Sequence, residues 1–304
     1  MLKHRLITGF SAGGIIIATL FLCPAWTHLV FLLALFVLAL MEFRDMAHAS
    51  GHRFEFIGVL VCGLLFLLAT AAESPVFHSY LQAKYPTLAI SPPGRMDVSG
   101  FLMAITPAVL LIVAILRRKT ERAMETAALS FAGFWYVAVL LSFLVRLAFE
   151  WPIREDGHTN YTGRLILLLF LMLVKFGDIG GFFVGTKFGK RKLIPEISPK
   201  KSIEGLYGEY ASSLCIGLIW WAILRFGYDG SIGSVPFTLG HAIALPLLLT
   251  TTGILGDLAE SLIKRSVGFK DSSSRFPGMG GCLDMLDSVL FSAPFMYAYA
   301  VWFF

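Results

Sequence analysis

The sequence predicts an all-α polytopic membrane protein with about nine transmembrane helices and a cytoplasmic N-terminus. Three observations carry this. Of 304 residues, 57% are hydrophobic and only 15% charged, with a mean hydropathy of +0.75. Soluble domains carry about 25% charged residues, so composition alone places the chain in the membrane class. Nine apolar runs approach the roughly 20 residues that a spanning helix needs: about 6–23, 27–42, 55–72, 99–117, 127–148, 164–186, 209–227, 237–257 and 286–304. With these alternating from a cytoplasmic N-terminus, eighteen Lys and Arg lie on the cytoplasmic side against four opposite (Lys84, Arg95, Arg154, Arg164). That bias is the positive-inside signature. The formal net charge of +5 therefore reports topology and leaves no footprint for nucleic acid.

The first two runs are short and separated only by the Cys23-Pro24 turn region, so they can also form a hairpin that does not fully cross. Lys3 and Arg5 give a basic start, yet an apolar hairpin follows at once and no small-residue cleavage site precedes it, unlike a removable signal. Cys23, Cys62, Cys215 and Cys282 show no paired spacing and read as small hydrophobes. The chain reads as a single integral membrane unit, with N-terminal helices over 1–160 and the polar chemistry concentrated in 161–304.

In the sixth run Lys175 and Asp178 are three residues apart and share a helix face. An ionisable pair inside a span marks a functional site, or else a structural ion pair that fixes helix packing. Gly177, Gly180, Gly181, Gly185 and Gly189 suit close helix contacts. Lys190, Arg191 and Lys192 suit an anionic leaflet. In SPKKSIEG, Ser202 is an expected N-cap with Glu204 in the first helical turn. A helix N-terminus beside Lys200 and Lys201 suits phosphate.

The eighth run ends in a polar stripe, Asp257, Glu260, Ser261 and Lys264 at i, i+3, i+4 and i+7. Arg265, Lys270 and Asp271 follow, then a Pro277–Gly281 turn, then Asp284 and Asp287 one helical turn apart. Two carboxylates on one face suit a hard cation shared with substrate phosphates. Taken singly, each could instead complement the positive end of its own helix.

The run Ser261-Leu-Ile-Lys-Arg…Lys270-Asp271…Pro277-Gly-Met-Gly-Gly-Cys-Leu-Asp284-Met-Leu-Asp287 resembles the signature of the phosphatidate cytidylyltransferases, or CDP-diacylglycerol synthases. The Asp178…Gly185…Gly189-Lys190…SPKKS-x-EG block is similar to a second family segment, and Arg5 and Glu42 are a weaker echo. Met279 and Met285 stand where the family has histidine and arginine, which removes a titratable ring and a guanidinium fork.

The resemblance implies transfer of the cytidylyl group of CTP to phosphatidate, with pyrophosphate leaving. It implies magnesium, with or without a second cation, on Asp271, Asp284 and Asp287, with Asp257 and Asp178 behind them. Lys264 and Lys270 join Asp271, Asp284 and Asp287 as the expected catalytic set. Ser198, Lys200, Lys201, Ser202, Glu204, Ser261, Arg265, Gly280 and Gly281 are the expected substrate contacts. A homodimer in a bacterial inner membrane, its active site facing the cytoplasm, completes the expectation. The competing readings are a CTP-dependent transferase for another lipid phosphate, a non-catalytic relative, and a secondary transporter. The transporter reading lacks the inverted repeats such carriers show.

Overall fold

A computed structural model describes residues 13–14, 18–77, 97–116, 122–151, 162–228, 230–232, 235–273, 275–276 and 280–304. The principal helices are α1 (Ala25–Ala49), α2 (Phe56–Ala72), α3 (Val98–Leu116), α4 (Ala123–Phe149), α5 (Thr162–Phe188), α6 (Ile203–Gly227), α7 (Leu239–Ser266) and α8 (Cys282–Phe303). Six of them, α1 and α3 to α7, contain stretches long and apolar enough to cross a membrane, and α2 is a shorter apolar helix of 17 residues. The chain is a helical integral membrane protein. Most of the first expected run, 6–23, lies outside the described residues, and eight of the nine expected runs coincide with a principal helix. Two short antiparallel hairpins interrupt the helical pattern: β1 (Lys192–Ile194) with β2 (Ser198–Ser202), and β3 (Ser231–Ile232) with β4 (Val235–Pro236). Both lie in polar connections, where hydropathy gives no strand signal.

The chain divides into two compact units, Met1–Gly163 with Val267–Met285, and Arg164–Ser266 with Leu286–Phe304. In the first, Phe36, Leu40, Leu67, Phe134 and Leu141 are fully buried. Gly63 of α2 sits against the Phe36 ring, and Gly133 of α4 against Phe43 and Phe54, so glycine makes room for aromatic rings at both places. Directly after Gly133, α4 widens into a π-helical turn over Phe134–Val139. Such turns insert one residue and re-aim those that follow; here Phe134, Val137, Ala138 and Val139 are all buried.

The second unit is built on backbone contact. A Cβ at Gly180 of α5 would lie 2.7 Å from the Gly208 carbonyl oxygen of α6, and one at Gly208 only 2.8 Å from the Gly180 carbonyl oxygen. A Cβ at Gly205 would meet the Gly181 carbonyl oxygen at 3.1 Å and the Gly185 Cα at 3.3 Å. Small residues let helices in lipid gain dispersion contact that apolar tails cannot offer preferentially. The same closeness recurs on α7, where a Cβ at Gly256 would lie 2.6 Å from the Asp287 carbonyl oxygen of α8. A hydroxyl pair, Thr252 Oγ1 to Ser292 Oγ at 3.1 Å, links α7 and α8 further along. Phe176, Ile179, Phe182 and Phe183 of α5 are exposed, as a lipid-facing surface requires.

This packing separates glycines that must be glycine from those that need not be. Gly208→Ala should destabilise the protein by about 1–3 kcal/mol through overpacking. At Gly177 an added Cβ finds its nearest neighbours at 3.7–3.9 Å, so Gly177→Ala should stay within about 1 kcal/mol of the parent. Thermal unfolding in detergent compares the two.

Candidate active site

The second unit gathers ionisable side chains from four helices and a strand. On α5 the Lys175 ammonium lies 3.1 Å from Asp178 Oδ2 and 3.0 Å from Ser288 Oγ, and the Ser288 hydroxyl donates to Asp178 at 2.9 Å. The predicted pair is therefore a triangle, with α8 supplying its third corner. Beside it, Asp287 Oδ1 accepts the Ser288 amide at 2.5 Å. On α7, Asp257 accepts the Ser261 hydroxyl at 3.2 Å, so the predicted stripe forms at its i, i+4 spacing. One turn on, buried Glu260 pairs with buried Lys264.

Lys201, near the end of β2, joins these helices. Its ammonium lies 2.9 Å from Asp257 Oδ2 and 3.9 Å from Glu209 Oε1 of α6. Burial by itself would depress its pKa; the Asp257 and Glu209 carboxylates outweigh that and hold it above the ordinary lysine value. Asp178, Glu209, Asp257 and Asp287 thus face one another's fields together with Lys175 and Lys201. Four carboxylates against two ammoniums leave two negative charges in excess when all are ionised. A small pocket between α5, α6 and α7, lined by Gly177, Asp178, Glu209 and Thr250 among others, opens into this cluster. The buried Thr250 Oγ1 has no hydrogen-bond partner among the described residues.

These are oxygen donors, the kind a hard divalent cation prefers. Among the described residues no three His, Cys, Asp or Glu side chains converge to chelate an ion unaided. Magnesium seldom asks for that: it keeps waters and takes one or two carboxylates plus substrate phosphates. Donor chemistry and charge excess both fit such sharing.

The first unit contains a different arrangement, centred on Glu42 of α1. This carboxylate is fully buried. Oε1 accepts the Ser273 hydroxyl at 2.7 Å and the Cys282 amide at 2.9 Å; Oε2 accepts the Leu283 amide at 2.9 Å and lies 2.9 Å from the Ser272 hydroxyl. Arg275 Nη1 stands 3.7 Å away. Glu42 therefore satisfies two of the unbonded amides that begin α8 from another helix entirely. Asp284 Oδ2 accepts the amides of Ser272 at 2.8 Å and Gly281 at 2.7 Å and also lies 2.9 Å from the Ser272 hydroxyl. That hydroxyl has one proton for two carboxylates. Gly280, at φ +89°, exchanges two backbone hydrogen bonds with Phe276 and closes the turn.

The expected site residues are shared between the two units. Asp178, Asp257, Asp287, Lys201, Ser261 and Lys264 lie in the second unit with their carboxylate or ammonium partners. Ser202 is the N-cap of α6, its hydroxyl accepting the Gly205 amide at 3.1 Å. Glu204 accepts the Lys190 and Arg191 amides at 3.0 and 3.2 Å, which fastens β1 to the head of α6. Ser198 is half-buried on β2, and Lys200 and Arg265 are exposed. In the first unit, Lys270 and Asp271 are exposed, while Asp284, Gly280 and Gly281 organise the turn. Pro277, Gly278 and Met279 lie outside the described residues. Sequence reasoning missed Glu42 as an anchor and Glu209 altogether. Both are acids at the edge of an apolar run, the signal that could have found them.

A sequence profile of the cytidylyltransferase family matches residues 3–303. The phosphatidate cytidylyltransferase of Haemophilus influenzae is 28% identical, over 97% of both chains. That of Bacillus subtilis is 29% identical over 97% of this chain and 96% of its own. That of Pseudomonas aeruginosa is 35% identical over half of each.

Replacing Glu42 by Gln keeps its shape but removes acceptor capacity for buried donors, each worth about 1–3 kcal/mol when left unmet. The turn should open more often, and trypsin should cut after Lys270 and Arg275 roughly tenfold faster than in the parent. A time course of limited proteolysis measures this.

Proposed function

The chain belongs to the cytidylyltransferase family, and on that premise we propose that it transfers the cytidylyl group of CTP to phosphatidate, releasing pyrophosphate and forming CDP-diacylglycerol for phospholipid synthesis. It is a membrane-embedded nucleotidyltransferase whose likeness to enzymes of that name runs the length of both chains. The observation that carries the site assignment is the convergence of Asp178, Lys201, Asp257 and Asp287, far apart in sequence, with negative charge in excess.

A phosphate oxygen of phosphatidate, already ionised near neutral pH, attacks the α-phosphorus of CTP; the bond from that phosphorus to the bridging oxygen breaks and pyrophosphate carries the electron pair away. No proton has to be removed from the nucleophile, so no general base is required, and the loss of a histidine at Met279 is tolerable. The difficulty is bringing two polyanions together, and such transfers depend mainly on positioning and electrostatics. Magnesium, when bound, neutralises charge on the transferring and leaving oxygens. Asp257, Asp287 and Asp178 are the residues assigned to hold it. Exposed Lys200 of the β1–β2 hairpin and exposed Arg265 of α7 are assigned to the phosphates, a charge that the amides heading α6 are suited to share, and Lys270 is a further candidate from the first unit. Ser202 and Glu204 shape that helix end without spending themselves on substrate.

Charge asymmetry supports nine spans, a cytoplasmic N-terminus and a site open to cytoplasmic CTP. Bacterial relatives support an inner-membrane location. A homodimer is the assembly the resemblance suggests.

The test is transfer of α-labelled CTP into the lipid phase by purified protein supplied with phosphatidate and magnesium. Label should move into lipid, and Asp287→Ala and Asp257→Ala should each lower turnover about a hundredfold or more. Transfer only to a different lipid phosphate would establish that acceptor instead; none to any, by folded protein, would identify a non-catalytic relative.

A further inference from the structure

Lys200 and Lys201 are adjacent on β2, yet their surroundings differ sharply. β2 pairs with β1 through a register shift, and its two lysines fall on either side of a change from exposed to buried. Lys200 is exposed, while the Lys201 side chain is only 18% exposed. The register is pinned from both sides, because Ser202 pairs with Lys192 in the hairpin and caps α6 through its hydroxyl. Lys201 directly precedes that anchored serine, and its ammonium reaches carboxylates that arrive on two separate helices, Asp257 on α7 at 2.9 Å and Glu209 on α6 at 3.9 Å.

The second ammonium of the cluster is engaged elsewhere, since Lys175 bonds to Asp178 and Ser288. Lys201 is then the cation in direct contact with both Asp257 and Glu209. Swinging it out to a phosphate would leave the two acids facing each other in a partly buried site, and removing one partner from such a pair is strongly destabilising. Leaving it in place while adding a phosphate would give one ammonium three anions to serve. Exposed Lys200 has neither obstacle.

We propose that Lys201 is a positioning residue: it is the built-in counter-ion that holds Asp257 at its working place, with Glu209 as its second anchor, and the nucleotide phosphates are met by Lys200. What Asp257 then does rests on the cytidylyltransferase reading; the counter-ion role itself can be read without turnover.

A charge-compensation cycle tests it in the full-length detergent-purified protein. Lys201→Gln should lower the melting temperature by roughly 5 °C or more, and adding Glu209→Gln should recover at least about half of that loss by restoring charge balance. In the transfer assay Lys201→Gln should cut kcat at least about tenfold with KM for CTP changed less than about twofold, whereas Lys200→Gln should raise that KM about tenfold. A double variant that folds where the single does not counts as the same rescue. The proposal is overturned by a double variant no more stable than the single, by an unchanged melting temperature with a raised KM for CTP, or by lower stability with kcat per folded molecule intact. If no variant or parent transfers label, the thermal cycle still decides the counter-ion role, and only the assigned reaction falls.

Discussion

Charge inside a membrane protein has to be answered locally, and that constraint organises this molecule. A charge drawn away from bulk water is costly unless paired, so each acid recruits donors or a cation from another part of the chain. Glu42 does so with hydroxyls and helix-end amides. Asp178 does so with Lys175 and Ser288, and Asp257 with Lys201 and Ser261. The outcome differs between the two units. Around Glu42 and Asp284 the donors are amides and hydroxyls, and the result is an anchor for Ser272, Ser273 and the head of α8. Around Asp178, Glu209, Asp257 and Asp287 the cations are outnumbered, and that shortfall suits an incoming positive charge.

Those acids can be neighbours only because the helices bearing them come unusually close. Glycine removes the side-chain layer that normally separates two helices, so α5 and α6 meet backbone to backbone near Gly180 and Gly208, and α7 meets α8 at Gly256. Gly256 and Asp257 are adjacent on α7: the residue that permits the approach precedes the one that uses it. The glycine and the acid in Ile254-Leu-Gly-Asp-Leu258 are parts of one device, the first closing the gap and the second loading it with charge.

Much of this was legible in sequence because it follows short-range rules. Lys175 with Asp178 and Asp257 with Ser261 are one helical turn apart, and Ser202 followed by Glu204 is a helix-start pattern; all three behave as their spacing predicts. What escaped was long-range. Nothing near Glu42 announces that its partners are Ser272, Ser273, Cys282 and Leu283. Glu209 begins an apolar run, where spacing alone gives no reason to connect it with Lys201. Asp284 and Asp287 look alike in sequence, one turn apart. Yet Asp284 is occupied by the Ser272 and Gly281 amides, while Asp287 sits among the carboxylates of the second unit. Local pattern finds an acid; only tertiary structure tells what the acid is for.

Surface hairpins usually tolerate insertions and deletions, but the one that carries Lys200 and Lys201 does so only as far as its anchored end. Its turn, Pro195–Ile197, leads into β2, whose last residue, Ser202, both pairs with Lys192 and caps α6. A change of length before Lys200 can be taken up in the turn, whereas a residue inserted between Lys201 and Ser202 would lengthen the link from the ammonium to the cap and shift it off Asp257 and Glu209. Length is therefore free on one side of Lys201 and fixed on the other, and a single peptide link ties the electrostatics of α6 and α7 to a helix cap.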